Sequence, residues 1–230
     1  MVGKMMGALQ DLRLRFATTE QWRWLRSSPV VLSVAFALLA MANGLGLTAP
    51  LDAARSHLID WTAASPIRLL SHPVTGFGSW PVTVVIAAAL GWRWSRVVGR
   101  TAALTTLAAI VISLVIEAAL RLDPGGVHLS DWRQLLFDQA DADTFRSSFP
   151  SGHMARMTIL VGGALPMIPR RCRIATVAIV LTATVINRLQ FSGHTVSDLF
   201  GGALFGVTML SVSRALLVQF TDWQSKRADA

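Results

Sequence analysis

The sequence predicts an all-α integral membrane protein: a six-transmembrane-helix bundle with an interfacial helix and an extracytoplasmic loop over a polar site. Three observations predict it. Of 230 residues, 53% are hydrophobic and only 15% charged, with a mean hydropathy of +0.50. A soluble domain of this size would struggle to hide so much apolar surface, whereas a bilayer protein has no need to. Apolar runs recur near the length of about 20 residues that a helix needs to cross a hydrocarbon core, at roughly 29–48, 76–93, 101–120, 152–169, 174–190 and 196–217. Finally, Lys and Arg gather in alternate connecting segments, which sets an orientation.

One membrane domain accounts for the whole length: a cytoplasmic amphipathic segment over 1–27, a six-helix core over 28–218 and a cytoplasmic tail over 219–230. Residues 5–25 read as a helix lying in the interface. A basic stretch, an apolar run and Ala40-Met41-Ala42 also resemble a signal peptide, but the run continues through Leu47, longer than such a region needs. The segment is therefore read as retained, as span one. Residues 51–72 alternate Leu51, Leu58, Ile59 and Trp61 with Asp52, Arg55 and Asp60, too polar to span, and read as a helix on the outer surface. The fifth span is the shortest and needs its neighbours or a thinner bilayer. In 121–151, Ser130 is placed to cap a short helix through about Asp138, and Asp131, Asp138, Asp141 and Asp143 form a solvated rim.

The basic loops carry Arg13, Arg15, Arg23 and Arg26, then Arg93, Arg96 and Arg100, then Arg170, Arg171 and Arg173, then Lys226 and Arg227. With six spans all four segments fall on one side, which the positive-inside rule makes cytoplasmic, with both termini inside a plasma or inner membrane. The five histidines, His57, His72, His128, His153 and His194, fall on the other side. Tryptophans agree: Trp22, Trp24, Trp92, Trp94 and Trp223 lie at inner edges and Trp61, Trp80 and Trp132 at outer ones, with none in mid-span.

A formal net charge of +8 raises the question of nucleic acid. No basic groove with interleaved aromatics and no nucleic-acid motif is present, so the partners expected are the bilayer and a membrane substrate. Cys172 is the one cysteine, flanked by Arg171 and Arg173. It excludes an intrachain disulfide and a Cys/His metal site.

Two stretches carry the chemistry. The first is Pro150-Ser151-Gly152-His153, at the start of span four. Ser151 is placed as an N-cap, Gly152 lets a ligand approach the backbone, and the amides of a helix N-terminus receive an anion. The second is Arg188, His194 and Asp198, spaced so that His194 and Asp198 share one helix face. A carboxylate one turn from an imidazole orients it, as in nucleophilic triads. Arginine grips phosphate oxygens with its planar fork. An aspartate inside a span needs a partner, and His194 supplies one. Ionisable groups at one membrane face, in apolar surroundings, mark a phosphate-handling site.

These residues resemble the second and third signature motifs of the type 2 phosphatidic acid phosphatase (PAP2) superfamily. The third reads Ser-Arg-x5-His-x3-Asp there, and Asn187 replaces the serine here. The resemblance implies a metal-independent, cofactor-free enzyme. In it His194 attacks phosphorus to give a phosphohistidine, Asp198 orients it, and His153 protonates the leaving oxygen. Arg188, Ser151 and Gly152 hold phosphate. It implies a lipid phosphate or diphosphate as substrate, with polyprenyl diphosphate the first expectation and phosphatidic acid or phosphatidylglycerophosphate open. A phosphotransferase using the same phosphohistidine, or a non-catalytic lipid-binding relative, are the alternatives.

The family's first motif, Lys-x6-Arg-Pro at the outer end of span three, is altered. Aligned on Pro124, Ile116 and Asp123 stand where cations belong; aligned on the spacing, Arg121 and His128 do. The second alignment is preferred because it leaves positive charge near phosphate. Glu117 then has Arg121 four residues on as a partner. Arg156, one turn below His153, either contacts phosphate or pairs with Asp198 or Glu117.

Overall fold

The computed structural model describes residues 29–63, 80–97, 100–121 and 149–228. The interfacial helix expected over 5–25, the Ser130-capped helix, the loop over the site and His128 all lie outside the described residues. Within them the chain is entirely helical: α1 (Pro29–Gly44), α2 (Ala49–Ala63), α3 (Trp80–Val97), α4 (Arg100–Arg121), α5 (Gly152–Ala164), α6 (Arg173–Phe191) and α7 (Val196–Ala228).

All six expected spans coincide with helices, but not all are long enough to cross alone. Arg170–Phe191 and Val196–Phe220 have the length and apolarity of a membrane span. A third arises if Pro29–Gly44 and Ala49–Asp60, bent by 83°, count as one. The bend has a local cause. Gly46 takes a positive φ of 73°, its N–H donates to Asn43 O at 3.0 Å, and Leu47 N–H donates to Ala42 O at 2.9 Å. That pairing closes a helix in a Schellman turn, so α1 ends before the apolar run does. Thr48 O then receives the amides of Leu51 and Asp52 and starts α2.

Helix α5 is also shorter than the expected 152–169. Its 13 residues cover about 20 Å. Pro166 stops it, lacking an N–H and crowding the carbonyl four residues back, and the chain tightens into a 3-10 turn over Leu165–Met167. In return α5 is central: every residue from Gly152 to Gly163 is buried. Helix α7 runs the other way, past the expected end near 217. At 33 residues it extends about 50 Å, beyond a hydrocarbon core of about 30 Å. On its last turns Trp223 stacks with Phe220 and lies 4.1 Å beneath the Arg227 guanidinium, neighbours three and four residues away on a single helical face.

The bundle is apolar outside and partly polar within. Val30, Val34 and Leu38 of α1, Val111 and Val115 of α4, and Ile174 and Ile179 of α6 are exposed, as lipid-facing positions are. The core joins Ala109 and Ile110 of α4, Ala155 and Ile159 of α5, and Phe205, Met209 and Leu210 of α7. Phe36 of α1 stacks on Phe205 and Phe149 with ring centroids 5.0 and 6.0 Å apart.

Glycines set how closely α7 lies against α5. A Cβ at Gly202 would overlap the Ser151 carbonyl oxygen, and one at Gly206 would stand 2.6 Å from Ala155 O. Small residues four apart let membrane helices touch backbone to backbone. Gly202→Leu should therefore lower the thermal unfolding midpoint in detergent, by the equivalent of about 1–3 kcal/mol or more for an overpacked core. An unchanged midpoint would show that this contact does not set the helix spacing.

Candidate active site

That close packing brings the two sequence signatures together. The Ser151 amide donates to Asp198 O at 3.0 Å, so the N-terminus of α5 is joined to the first turn of α7. Phe149 and Pro150 lead in by a cis peptide bond. Ser151 occupies the N-cap position with extended backbone, but its side chain makes no capping bond. Its hydroxyl is buried and has no hydrogen-bond partner among the described residues. The role of the serine at this helix start is thus not the cap the sequence suggested, and the hydroxyl remains available to a ligand.

On α7 the capping is reciprocal. Thr195 N–H donates to Asp198 Oδ2 at 2.8 Å, and Asp198 N–H donates to Thr195 Oγ1 at 3.3 Å. This is a capping box, with aspartate in the usual glutamate place. The same Asp198 oxygen accepts from His194 Nδ1 at 3.4 Å. Asp198 is 1% exposed and His194 7%. A carboxylate only accepts, so Nδ1 of His194 carries the proton of this bond and Nε2 is the ring nitrogen turned away from Asp198. Gly193, with φ of 68°, makes the turn that carries His194 out of α6 and up to this carboxylate.

His153 has the opposite arrangement. Arg156 Nη2 lies 3.1 Å from His153 Nδ1, and arginine only donates. His153 Nδ1 therefore accepts, and its proton sits on Nε2. The other fork nitrogen of Arg156 reaches Glu117 Oε2 of α4 at 3.1 Å. Glu117 is one of the partners expected for Arg156. The expected pairing of Glu117 with Arg121 involves a side chain outside the described residues, since Arg121 ends α4. The close approach that Gly152 allows is made by the Glu117 carboxylate, which a Cβ there would overlap.

Arg188 and Asn187 are buried at the end of α6. Leu189, next in the chain, packs with Met154 and Leu199, which follow His153 and Asp198. The three motif segments thus meet at one level. The Arg188 carbonyl accepts from Ser192 Oγ at 2.7 Å, which tightens the turn to His194.

Sequence reasoning missed a further layer. Asp52 of α2 accepts from the Ser197 amide at 2.8 Å and the Ser197 hydroxyl at 2.9 Å. Asn43 Nδ2 donates to the same hydroxyl oxygen at 2.8 Å, and Arg55 Nη2 to Leu189 O at 3.2 Å. The bent α1–α2 segment thereby ties down both sides of the α6–α7 turn. Thr195-Val196-Ser197-Asp198 was readable as a capping box; nothing in the sequence pointed from Ser197 to Asp52.

Two cavities adjoin this centre. One, of about 520 Å³, is lined by Asp52, Arg55, Ser56, Asp60 and Thr195, among others. The other, of about 430 Å³, is wholly apolar and includes Leu58, Met154, Leu181, Val185, Leu189 and Phe200.

Residues 127–222 match the PAP2 superfamily model, consistent with a PAP2-type protein. The matched stretch holds both signatures and begins beyond Glu117 and Arg121. It points to phosphatase or phosphotransferase chemistry on phosphate esters, and the apolar helices are compatible with a membrane protein. No curated protein and no solved structure matches the chain.

Proposed function

We propose that this protein hydrolyses a lipid phosphate or diphosphate at the extracytoplasmic membrane face, without a metal ion, through a phosphohistidine on His194. The observation that carries this reading is the opposite partners of the two Nδ1 atoms, an accepting carboxylate at His194 and a donating guanidinium at His153. His194 presents a lone pair at Nε2, with Asp198 behind it to stabilise the cation formed on attack. His153 carries an N–H at Nε2, suited to the oxygen that leaves. Arg188 and the Ser151 hydroxyl receive the equatorial phosphate oxygens, whose charge catalysis must stabilise. Water then attacks phosphorus, the N–P bond breaks, and His194 is restored.

A substrate with a charged head and an apolar tail suits the surroundings. One cavity is lined by Thr195 together with the charged Asp52, Arg55 and Asp60, and the apolar one by Met154 and Leu189, each next in sequence to a motif residue. Arg121 and His128 are kept as candidates for the charge the altered first motif would have supplied.

The test is phosphate release by purified protein in detergent from a panel of lipid phosphates and diphosphates, with EDTA present throughout. Turnover should persist at the rate seen without chelator, because the cationic groups are side chains. Full loss that is reversed by added divalent metal would place the enzyme in a different catalytic class. Release only when a lipid or sugar alcohol is supplied would identify a transferase.

A further inference from the structure

His153 is held by a line of buried charge that neither signature contains. Glu117 reaches it from α4 through Arg156, and both side chains are 0% exposed, with His153 at 2%. The guanidinium spends one fork nitrogen on Glu117 Oε2 and the other on His153 Nδ1, each at 3.1 Å. An imidazolium would bear a proton on both ring nitrogens and set an N–H against the guanidinium N–H. While the pair stands, His153 offers one hydrogen bond from Nε2 and has no second proton to give. Handing over its only proton would leave an imidazolate.

Leaving groups differ in how much this matters. When the bond from phosphorus to a lipid alcohol oxygen breaks, an alkoxide departs and needs a proton in the transition state. When a P–O–P bond breaks, the departing oxygen belongs to a phosphate monoester. Its second pKa is about 6, so it leaves as a dianion at neutral pH and requires only a hydrogen bond.

We propose that Glu117 and Arg156 are positioning residues that hold His153 as a neutral Nε2–H donor, fitting the site to the P–O–P bond of a lipid diphosphate over the P–O–C bond of a lipid monophosphate. The proposal rests on the phosphohistidine reading above. In the step, the His194 Nε2 lone pair forms the N–P bond. The bridging P–O bond breaks with its electron pair passing to the bridging oxygen, and the lipid monophosphate leaves as a dianion hydrogen-bonded to His153 Nε2–H. The phosphoimidazole, still protonated on Nδ1 and paired with Asp198, is then attacked by water. Both water protons stay on the product, dihydrogen phosphate, and the N–P electrons return to Nε2. No external acid is consumed in either half.

The experiment measures kcat/KM for a polyprenyl diphosphate and for the monophosphate of the same chain length, using the full-length protein in detergent. The native enzyme should favour the diphosphate by about 10²-fold or more, the scale of general-acid assistance that the monophosphate would lack. In the double variant Glu117→Leu/Arg156→Met the charges leave together, as an apolar exchange of a buried pair tolerates. His153 can then take a second proton, and the preference should shrink by about tenfold or more. Arg156→Lys, which keeps a cation beside Glu117, should fall between the two. A general structural loss would lower both substrates together and leave the ratio intact.

Release from both substrates at similar kcat/KM by the native enzyme overturns this inference and leaves the phosphatase reading standing, as does a ratio that the double variant does not move. Release from neither overturns this inference, and the phosphatase reading is then decided by the wider panel of lipid phosphates. Should the double variant not fold, ¹⁵N spectra of the histidine rings in the native protein decide the matter. The signal lost in His153→Gln should show an unprotonated Nδ1; a protonated Nδ1 overturns the proposal.

Discussion

His194→Ala should be correctly folded and without turnover. On the proposed mechanism the substitution removes the nucleophile, and with it the covalent intermediate. It should leave the start of α7 in place, because Thr195 and Asp198 cap that helix through each other. The checks are phosphate release, the thermal midpoint in detergent, and a radiolabelled lipid phosphate quenched without acid. Native protein should retain label on histidine and the variant none. Activity above a few per cent of native in a folded variant would remove His194 as nucleophile.

Replacing Asp198 separates two functions that its carboxylate combines. Asp198→Asn keeps an oxygen for the Thr195 amide, so the thermal midpoint should stay close to native. That oxygen is uncharged, however, and no longer stabilises the imidazolium that would form on His194 when it attacks. Turnover should drop by about 10⁴-fold, the scale seen when a triad aspartate becomes asparagine. Asp198→Ala should show a comparable catalytic loss together with about 0.5–2 kcal/mol of lost capping. If Asp198→Asn retains native turnover, the carboxylate serves the helix alone.

Much of this arrangement was legible in the chain. The helical class and the positions of the six apolar segments follow from composition and run length, properties that each segment carries by itself. His194 and Asp198 were expected to share a helix face; they do meet, but α7 begins at Val196, so it is the turn at Gly193 and the cap at Thr195 that bring them together. Helix ends were harder to place. Pro166 shortened α5 and Gly46 shortened α1 inside runs that remain apolar past the break, and hydropathy does not register either event. Contacts between helices were least legible. Arg156 was seen to need a partner, yet which acid it would meet depended on the rotation of α4 against α5. Asp52, read as the polar face of a surface helix, lies 145 residues from Ser197 and is joined to it only through the 83° bend.

That bend bears on separability. Residues 127–222 contain both signatures and look like a self-sufficient catalytic unit. Yet the acceptors that satisfy their buried groups come from elsewhere: Asp52 for the Ser197 amide, Glu117 for the Arg156 guanidinium. Cut out alone, the segment would keep both signatures. It would lose an acceptor worth about 1–3 kcal/mol at Ser197 and leave an uncompensated cation costing about 3–5 kcal/mol at Arg156. Chemistry written in the second half of the chain is thus underwritten by the first, and the two halves are not exchangeable modules.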